Sequence, residues 1–167
     1  MNPPYKIYAF LNVYVFFVQP ANVLLNNVES DRPVVKLSDF GLSRLRVTVK
    51  STKAPDAGTA PYMSPECFDV TENRITHQAD IYSLGVLIWE MLVGKRPWEG
   101  VSDVAVAFMV TYKGLRPPLE DVPPSRCPAK LAQLLTACWE TDPARRPAAA
   151  EVAKELTLML ERLQQQP

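Results

Sequence analysis

Asp39-Phe40-Gly41, followed by Gly58-Thr59-Ala60-Pro61-Tyr62-Met63-Ser64-Pro65-Glu66, is the stretch on which the reading of this chain turns. From Asp39 to about Ser64 the sequence has no sustained periodicity and many small and polar residues, which predicts one long loop. A loop of that length inside a compact domain is usually functional. Just upstream, Val23-Leu24-Leu25 and Val34-Val35-Lys36-Leu37 are short β-prone runs on either side of a polar turn, Asn26 to Pro33. They predict a hairpin that delivers the chain into the loop.

Downstream of the loop the pattern becomes helical. A first helix is predicted from Thr76, as N-cap, to Gly94, a stop at the position after the last turn. Its apolar residues between Asp80 and Val93 fall on nearly every side, so it should be a central post buried all round. Ala105, Phe108, Met109 and Tyr112 form a second amphipathic stripe. Leu131, Leu134, Leu135 and Cys138 form a third at i, i+3, i+4, i+7 spacing, and Val152, Leu156, Met159 and Leu163 a fourth. No repeat or low-complexity linker interrupts this block, and Gln164 to Pro167 reads as a polar tail.

Composition narrows the class. The 167 residues suffice for one domain with a sizeable core. Lysine plus arginine equals aspartate plus glutamate, 18 against 18, so nothing favours nucleic acid or an anionic membrane as partner. Cys67, Cys127 and Cys138 form no CxxC pair and no zinc spacing, which fits reduced thiols in a cytoplasmic protein. The single histidine, His77, cannot hold a metal alone and belongs in the polar first turn of a helix. Tyr8 to Val18 is apolar and aromatic but too short to span a bilayer, and Gln19-Pro20 is not a cleavage site for a signal peptide. A buried strand or helix is the expectation there.

Asp39-Phe40-Gly41 resembles the magnesium-binding loop of eukaryotic protein kinases, and Gly58 to Glu66 resembles the end of their activation segment, where a peptide substrate docks. Pro20-Ala21-Asn22-Val23-Leu24-Leu25 is similar to the end of the kinase catalytic loop. The resemblance implies Asn22 and Asp39 as oxygen ligands for Mg²⁺. Leu24 would floor the adenine of ATP, with Ser38 nearby; Gly58, Thr59 and Tyr62 would shape the docking loop. Ser64-Pro65-Glu66 matches the family's Ala-Pro-Glu with one small-for-small change, and its glutamate would pair with Arg146 in Asp142-Pro143-Ala144-Arg145-Arg146-Pro147. Asp80 resembles the helix aspartate that accepts N–H bonds from the catalytic loop, and an aspartate in a first turn is also favourable helix chemistry. Trp98 and Trp139 are core or surface anchors. Asp39 to Arg44, the Trp89-Glu90-Met91-Leu92 run and Cys138-Trp139 are most similar to the tyrosine-kinase-like group, and Gly58-Thr59 favours serine/threonine specificity. Thr48, Ser51 and Thr52 are candidate phosphorylation sites beside Arg44, Arg46, Lys50 and Lys53.

The resemblance fails upstream of Pro20. Aligned through Asn22, Phe17 stands where the family carries the aspartate that accepts the substrate proton, and Gln19 replaces the lysine. Losing a general base typically costs 10²–10⁴-fold in rate. Thr59 also loses the two partners it would bond in the family. Residues 1–19 hold no Gly-rich loop, strand lysine or helix glutamate to cover the phosphates of ATP. Phe16-Phe17-Val18-Gln19 is what a pyrimidine-rich tract ending in CAG would encode, so residues 1–19 are expected to be translated intron, with a genuine diverged start as the rival.

The expectation is therefore a mainly α, kinase-like C-terminal lobe of the α+β family: a short β-hairpin plus a helical bundle, without the N-terminal lobe. Residues 1–19 form a non-matching apolar segment, 20–163 the partial kinase domain and 164–167 a tail. The implied partners are a protein substrate or partner kinase, with no nucleic acid and no membrane span. The alternative is a pseudokinase-like interaction module working through the Ala105–Tyr112 helix surface and the 58–66 loop.

Overall fold

The structure is a computed structural model that describes residues 18–30, 33–38, 59–68 and 75–165, with the backbone alone of 13–14 and 44–45. Phe17, Asp39, Gly58, Thr48, Ser51 and Thr52 lie outside the described residues. Two small antiparallel sheets precede the helices. Strand β1 (Val13–Tyr14) pairs with β4 (Arg44–Leu45), so two residues of the apolar N-terminal segment meet the start of the long loop. Strands β2 (Val23–Asn26) and β3 (Val34–Leu37) form the expected hairpin, with Val23 opposite Leu37 and Asn26 opposite Val34. Its turn is closed by the Ser30 N–H donating to the Asn27 carbonyl at 3.0 Å, with Asn27 at a φ of 57°. Asparagine tolerates that left-handed backbone better than most residues.

Among the described residues five α-helices follow: α1 (Pro65–Phe68), α2 (Gln78–Val93), α3 (Asp103–Thr111), α4 (Ala129–Cys138) and α5 (Ala149–Gln164). The predicted central post is α2. It begins just after Thr76, whose Oγ1 accepts the Gln78 N–H at 3.3 Å, and His77 is its cap position. It stops at Gly94, where a φ of 76° lets the Gly94 N–H donate to Glu90 O at 2.7 Å. Ala79, Ile81, Tyr82, Ser83 and Gly85 to Trp89 are all buried, so the post is wrapped along most of its length. Its core includes Tyr62, Val106, Val110, Val122, Leu134, Leu135 and Val152.

The stripes on α4 and α5 mostly face this core. Leu134, Leu135 and Cys138 are buried and Leu131 packs against them; Val152 is buried with Leu156 and Met159 beside it. Leu163, at the end of the fourth stripe, is exposed. The stripe expected on α3 is displaced. Val106 and Val110 are the buried ridge, one step from the predicted face, while Phe108 and Tyr112 point to solvent and stack on each other at 5.4 Å. From Val104 to Val110 every residue is apolar, so periodicity alone cannot choose the face.

Gly85 sets how closely α2 and α4 approach. A Cβ there would stand 2.7 Å from Trp139 Nε1 and 2.9 Å from Cys138 Cβ. Both neighbours are buried, so neither can move aside freely. Gly85→Ala should therefore destabilise the fold by about 1–3 kcal/mol through overpacking. Urea titration of the two proteins measures the difference, and an unchanged midpoint would show that α4 shifts at no cost.

Candidate functional site

The candidate site residues that the structure describes fall in two regions, the hairpin and the segment around Glu66. At the hairpin end, a short 3-10 turn at Pro20–Asn22 leads into β2, with the Asn22 N–H donating to Gln19 O at 2.9 Å. Asn22 is buried, and its backbone carbonyl accepts both the Ser38 N–H at 2.8 Å and the Ser38 hydroxyl at 3.3 Å. The start of β2 and the end of β3 are thus tied together at the residue preceding Asp39. Leu24 is half exposed, and Leu25, Val35 and Leu37 are exposed with it. Gln19 is partly buried.

The segment leading to Glu66 is far more tightly built. A 3-10 turn at Ala60–Tyr62 leads through Met63 and Ser64 into α1, and Thr59 to Ser64 are all buried. Tyr62 donates its hydroxyl to Glu90 Oε2 at 2.6 Å, and its carbonyl accepts the Ser83 hydroxyl at 2.7 Å. Tyr62 therefore anchors the segment to α2, while Thr59 is buried at the start of the turn with its carbonyl accepting the Tyr62 N–H at 3.0 Å. Burial, reinforced by Glu90 and opposed by Arg96, pushes the Tyr62 hydroxyl well above its ordinary range. It remains a donor at any physiological pH.

Glu66 receives Arg146 bidentately, at 2.7 Å to Oε1 and 2.8 Å to Oε2. The Arg146 side chain is 0% exposed and that of Glu66 only 9%. The other Arg146 donors go to Glu140 O at 2.8 Å, Gln78 O at 2.9 Å and Thr141 O at 3.4 Å, so all five N–H groups of the guanidinium are used. The bond to Gln78 is returned, since Gln78 Nε2 donates to Arg146 O at 3.0 Å. A buried cation is tolerable only when satisfied this fully. Asp80 lies in the first turn of α2, two residues beyond Gln78.

Sequence reasoning missed three members of this arrangement. Ser83 and Glu90 secure Tyr62, and the helix spacing that places them on one face of α2 is visible only once Tyr62 is known to lie there. Arg116 was the third; its position after Gly114-Leu115 and before two prolines reads as loop. Its guanidinium carbon and that of Arg146 both lie 5.2 Å from the centroid of the Tyr82 ring. Among the described residues no cluster of three His, Cys, Asp or Glu could hold a metal, and no helix is long and apolar enough to cross a membrane.

A helical lobe with a two-stranded antiparallel hairpin, and a segment after the long loop locked by a buried glutamate–arginine pair, is consistent with a protein kinase architecture. The chain belongs to the protein tyrosine and serine/threonine kinase family, whose profile matches residues 18–156. It is 38% identical over 137 residues to human mitogen-activated protein kinase kinase kinase 11, covering 80% of this chain and 15% of that protein. It is 34% identical over 143 residues to Serine/threonine-protein kinase STY17 of Arabidopsis thaliana, covering 86% of this chain and 23% of the relative. Dual specificity protein kinase splA of Dictyostelium discoideum is 33% identical over 147 residues, covering 83% of this chain and 6% of that protein. The relatives place the chain with kinases of the tyrosine-kinase-like type, and it spans less than a quarter of the length of each of these three.

Two outcomes follow for stability. Glu66→Gln should cost about 3–5 kcal/mol by stranding a buried guanidinium, whereas Glu66→Leu combined with Arg146→Met should cost much less than the two single changes summed. Chemical denaturation of the four proteins completes the cycle. The second outcome concerns pH. Burial pushes the Cys67 thiol up to about 12, the Cys138 thiol up to about 11 and the Tyr82 hydroxyl up to about 12. Each folded-state value is raised, so the folded chain holds protons that the unfolded chain releases first. Stability should be level from pH 7 to the ordinary thiol value near 9.0 and then fall as pH rises toward 12, which urea midpoints across that range will show.

Proposed function

We propose that this chain is the substrate-docking half of a serine/threonine protein kinase and does not itself transfer phosphate. The observation that carries the first part is the Glu66–Arg146 pair, buried and with every donor satisfied, beneath a docking segment whose Thr59 to Ser64 are fully packed. Holding a peptide so that its hydroxyl meets a phosphoryl group requires a rigid platform, since phosphoryl transfer depends chiefly on positioning and electrostatics. The names of two relatives, a serine/threonine kinase and a dual-specificity kinase, support a hydroxyl on protein as the acceptor.

The second part rests on residue chemistry. Phe17 and Gln19 stand at the family's aspartate and lysine positions, and a phenyl ring cannot accept a proton. Asn22 and Asp39 remain suitable for Mg²⁺, since an amide oxygen and a carboxylate are the hard donors that ion takes. When bound, Mg²⁺ and ATP would supply a transferable phosphoryl group whose charge is partly neutralised. Leu24 and Ser38 would lie on the adenine side, and the tie between Ser38 and the Asn22 carbonyl supports that placement. Asp80 would brace the catalytic loop. Residues 20–163 would act as one unit, in the cytoplasm, with a protein as partner.

A second reading, a pseudokinase-like module that only holds another protein, is favoured by the exposed stacked pair Phe108–Tyr112 on α3. Two assays on the full chain separate the readings. Incubation with labelled ATP, Mg²⁺ and a serine/threonine peptide library should give no incorporation above a blank, and incorporation would disprove the inactivity. A thermal shift of about 2 °C or more with Mg²⁺-ATP would show a surviving nucleotide site, because ligand binding to the folded state raises its midpoint. No shift in a folded sample favours the interaction module.

A further inference from the structure

Arg146 shares its anchorage with a second arginine. The turn at Trp139–Thr141 supplies two of the five acceptors of Arg146, Glu140 O and Thr141 O. Arg116 takes two further oxygens of the same turn: its Nε donates to Trp139 O at 2.9 Å and its Nη2 to Thr141 Oγ1 at 3.1 Å. Its Nη1 reaches the other way, to Val110 O at 3.2 Å in α3 and Leu115 O at 2.8 Å. Both guanidinium carbons sit 5.2 Å from the ring centroid of Tyr82, which is 1% exposed. Only one of the two cations has a carboxylate: Arg146 has Glu66, while Arg116 has none among the described residues.

We propose that Arg116 is a positioning residue for the docking segment. By joining the end of α3 to the Trp139–Thr141 turn and covering Tyr82, it fixes the acceptors and the ring against which Arg146 is aligned toward Glu66. A planar fork is required for this task. Its donors must reach Trp139 O, Val110 O and Thr141 Oγ1 at once, and an ammonium point charge cannot span three such directions. The inference rests on the docking role proposed above only for its consequence, which is that a shift of α3 is transmitted to the substrate platform.

Two of the three free cysteines supply the test. Cys67 follows Glu66 directly, with its Sγ 3.2 Å from Ser64 Oγ, and reports opening of the docking segment. Cys138 is fully buried where α4 meets Gly85 of α2, and reports opening of the core. The full chain and its Arg116→Met variant would be alkylated with N-ethylmaleimide under native conditions, with each cysteine followed by mass spectrometry. Loss of Arg116 should accelerate Cys67 by about tenfold or more, the scale of one lost charge-assisted hydrogen bond, while Cys138 keeps its rate. Arg116→Lys should fail to restore the slow Cys67 rate, and it carries the same comparison if Arg116→Met does not fold. Equal acceleration of both thiols, acceleration of Cys138 alone, or no change would each overturn the proposal. Because labelling requires neither ATP nor peptide, an absence of substrate binding would count against the docking role and leave this result standing.

Discussion

The Glu66–Arg146 ion pair is the constraint on which the segment from Thr59 to Phe68 depends. It joins residues 80 positions apart and closes the long loop back onto the last third of the chain. Ion pairs of this kind are weak evidence for net stability, since desolvating both charges offsets much of their attraction. Their effect is specificity: a guanidinium with five fixed acceptors admits one arrangement of the groups around it. The backbone of Gln78 at the start of α2 and that of Glu140 and Thr141 after α4 are oriented by the same side chain. One buried cation therefore sets the mutual placement of α1, α2 and the turn after α4.

Packing around α2 complements this polar lock. A helix buried on nearly all sides needs close approach on each, and Gly85 provides it where Trp139 and Cys138 press against the post. The indole of Trp89 adds a further tie, donating to Pro118 O at 2.8 Å from the core outward. Apolar contact supplies most of the driving force here, and the hydrogen bonds at its edges decide register.

The hairpin, the post and the helices α4 and α5 were legible in the sequence because their signals are local: β-prone runs about a polar turn, Gly94 as a stop, and a clear three-and-four spacing of leucines. The buried face of α3 was not, because Val104 to Val110 is apolar on every side and tertiary packing alone selects Val106 and Val110. Of the candidate site, Glu66 and Arg146 were legible through the resemblance of their flanking motifs, and their geometry agrees with it. Tyr62 and Thr59 read from the sequence as docking-loop residues; both are buried, and Tyr62 is bonded to Glu90 and Ser83 of α2, which no local pattern announces. Arg116 and Gly85 carried no signal, since an arginine before prolines and a glycine in a helix acquire meaning only from what lies opposite. Phe17, Asp39 and Gly58 lie outside the described residues, so their roles rest on sequence.

The two halves of the site differ in how they are held. Around Glu66 the side chains are buried, the donors counted and satisfied, and the helices locked. Around Asn22 the hairpin offers two bonds from Ser38 to one carbonyl while Leu24, Leu25, Val34, Val35 and Leu37 all remain exposed. A two-stranded hairpin without a covered face is marginal in water and depends on what packs against it. The asymmetry follows from burial alone, and among the described residues it makes the segment around Glu66 the part of this lobe that is held most firmly.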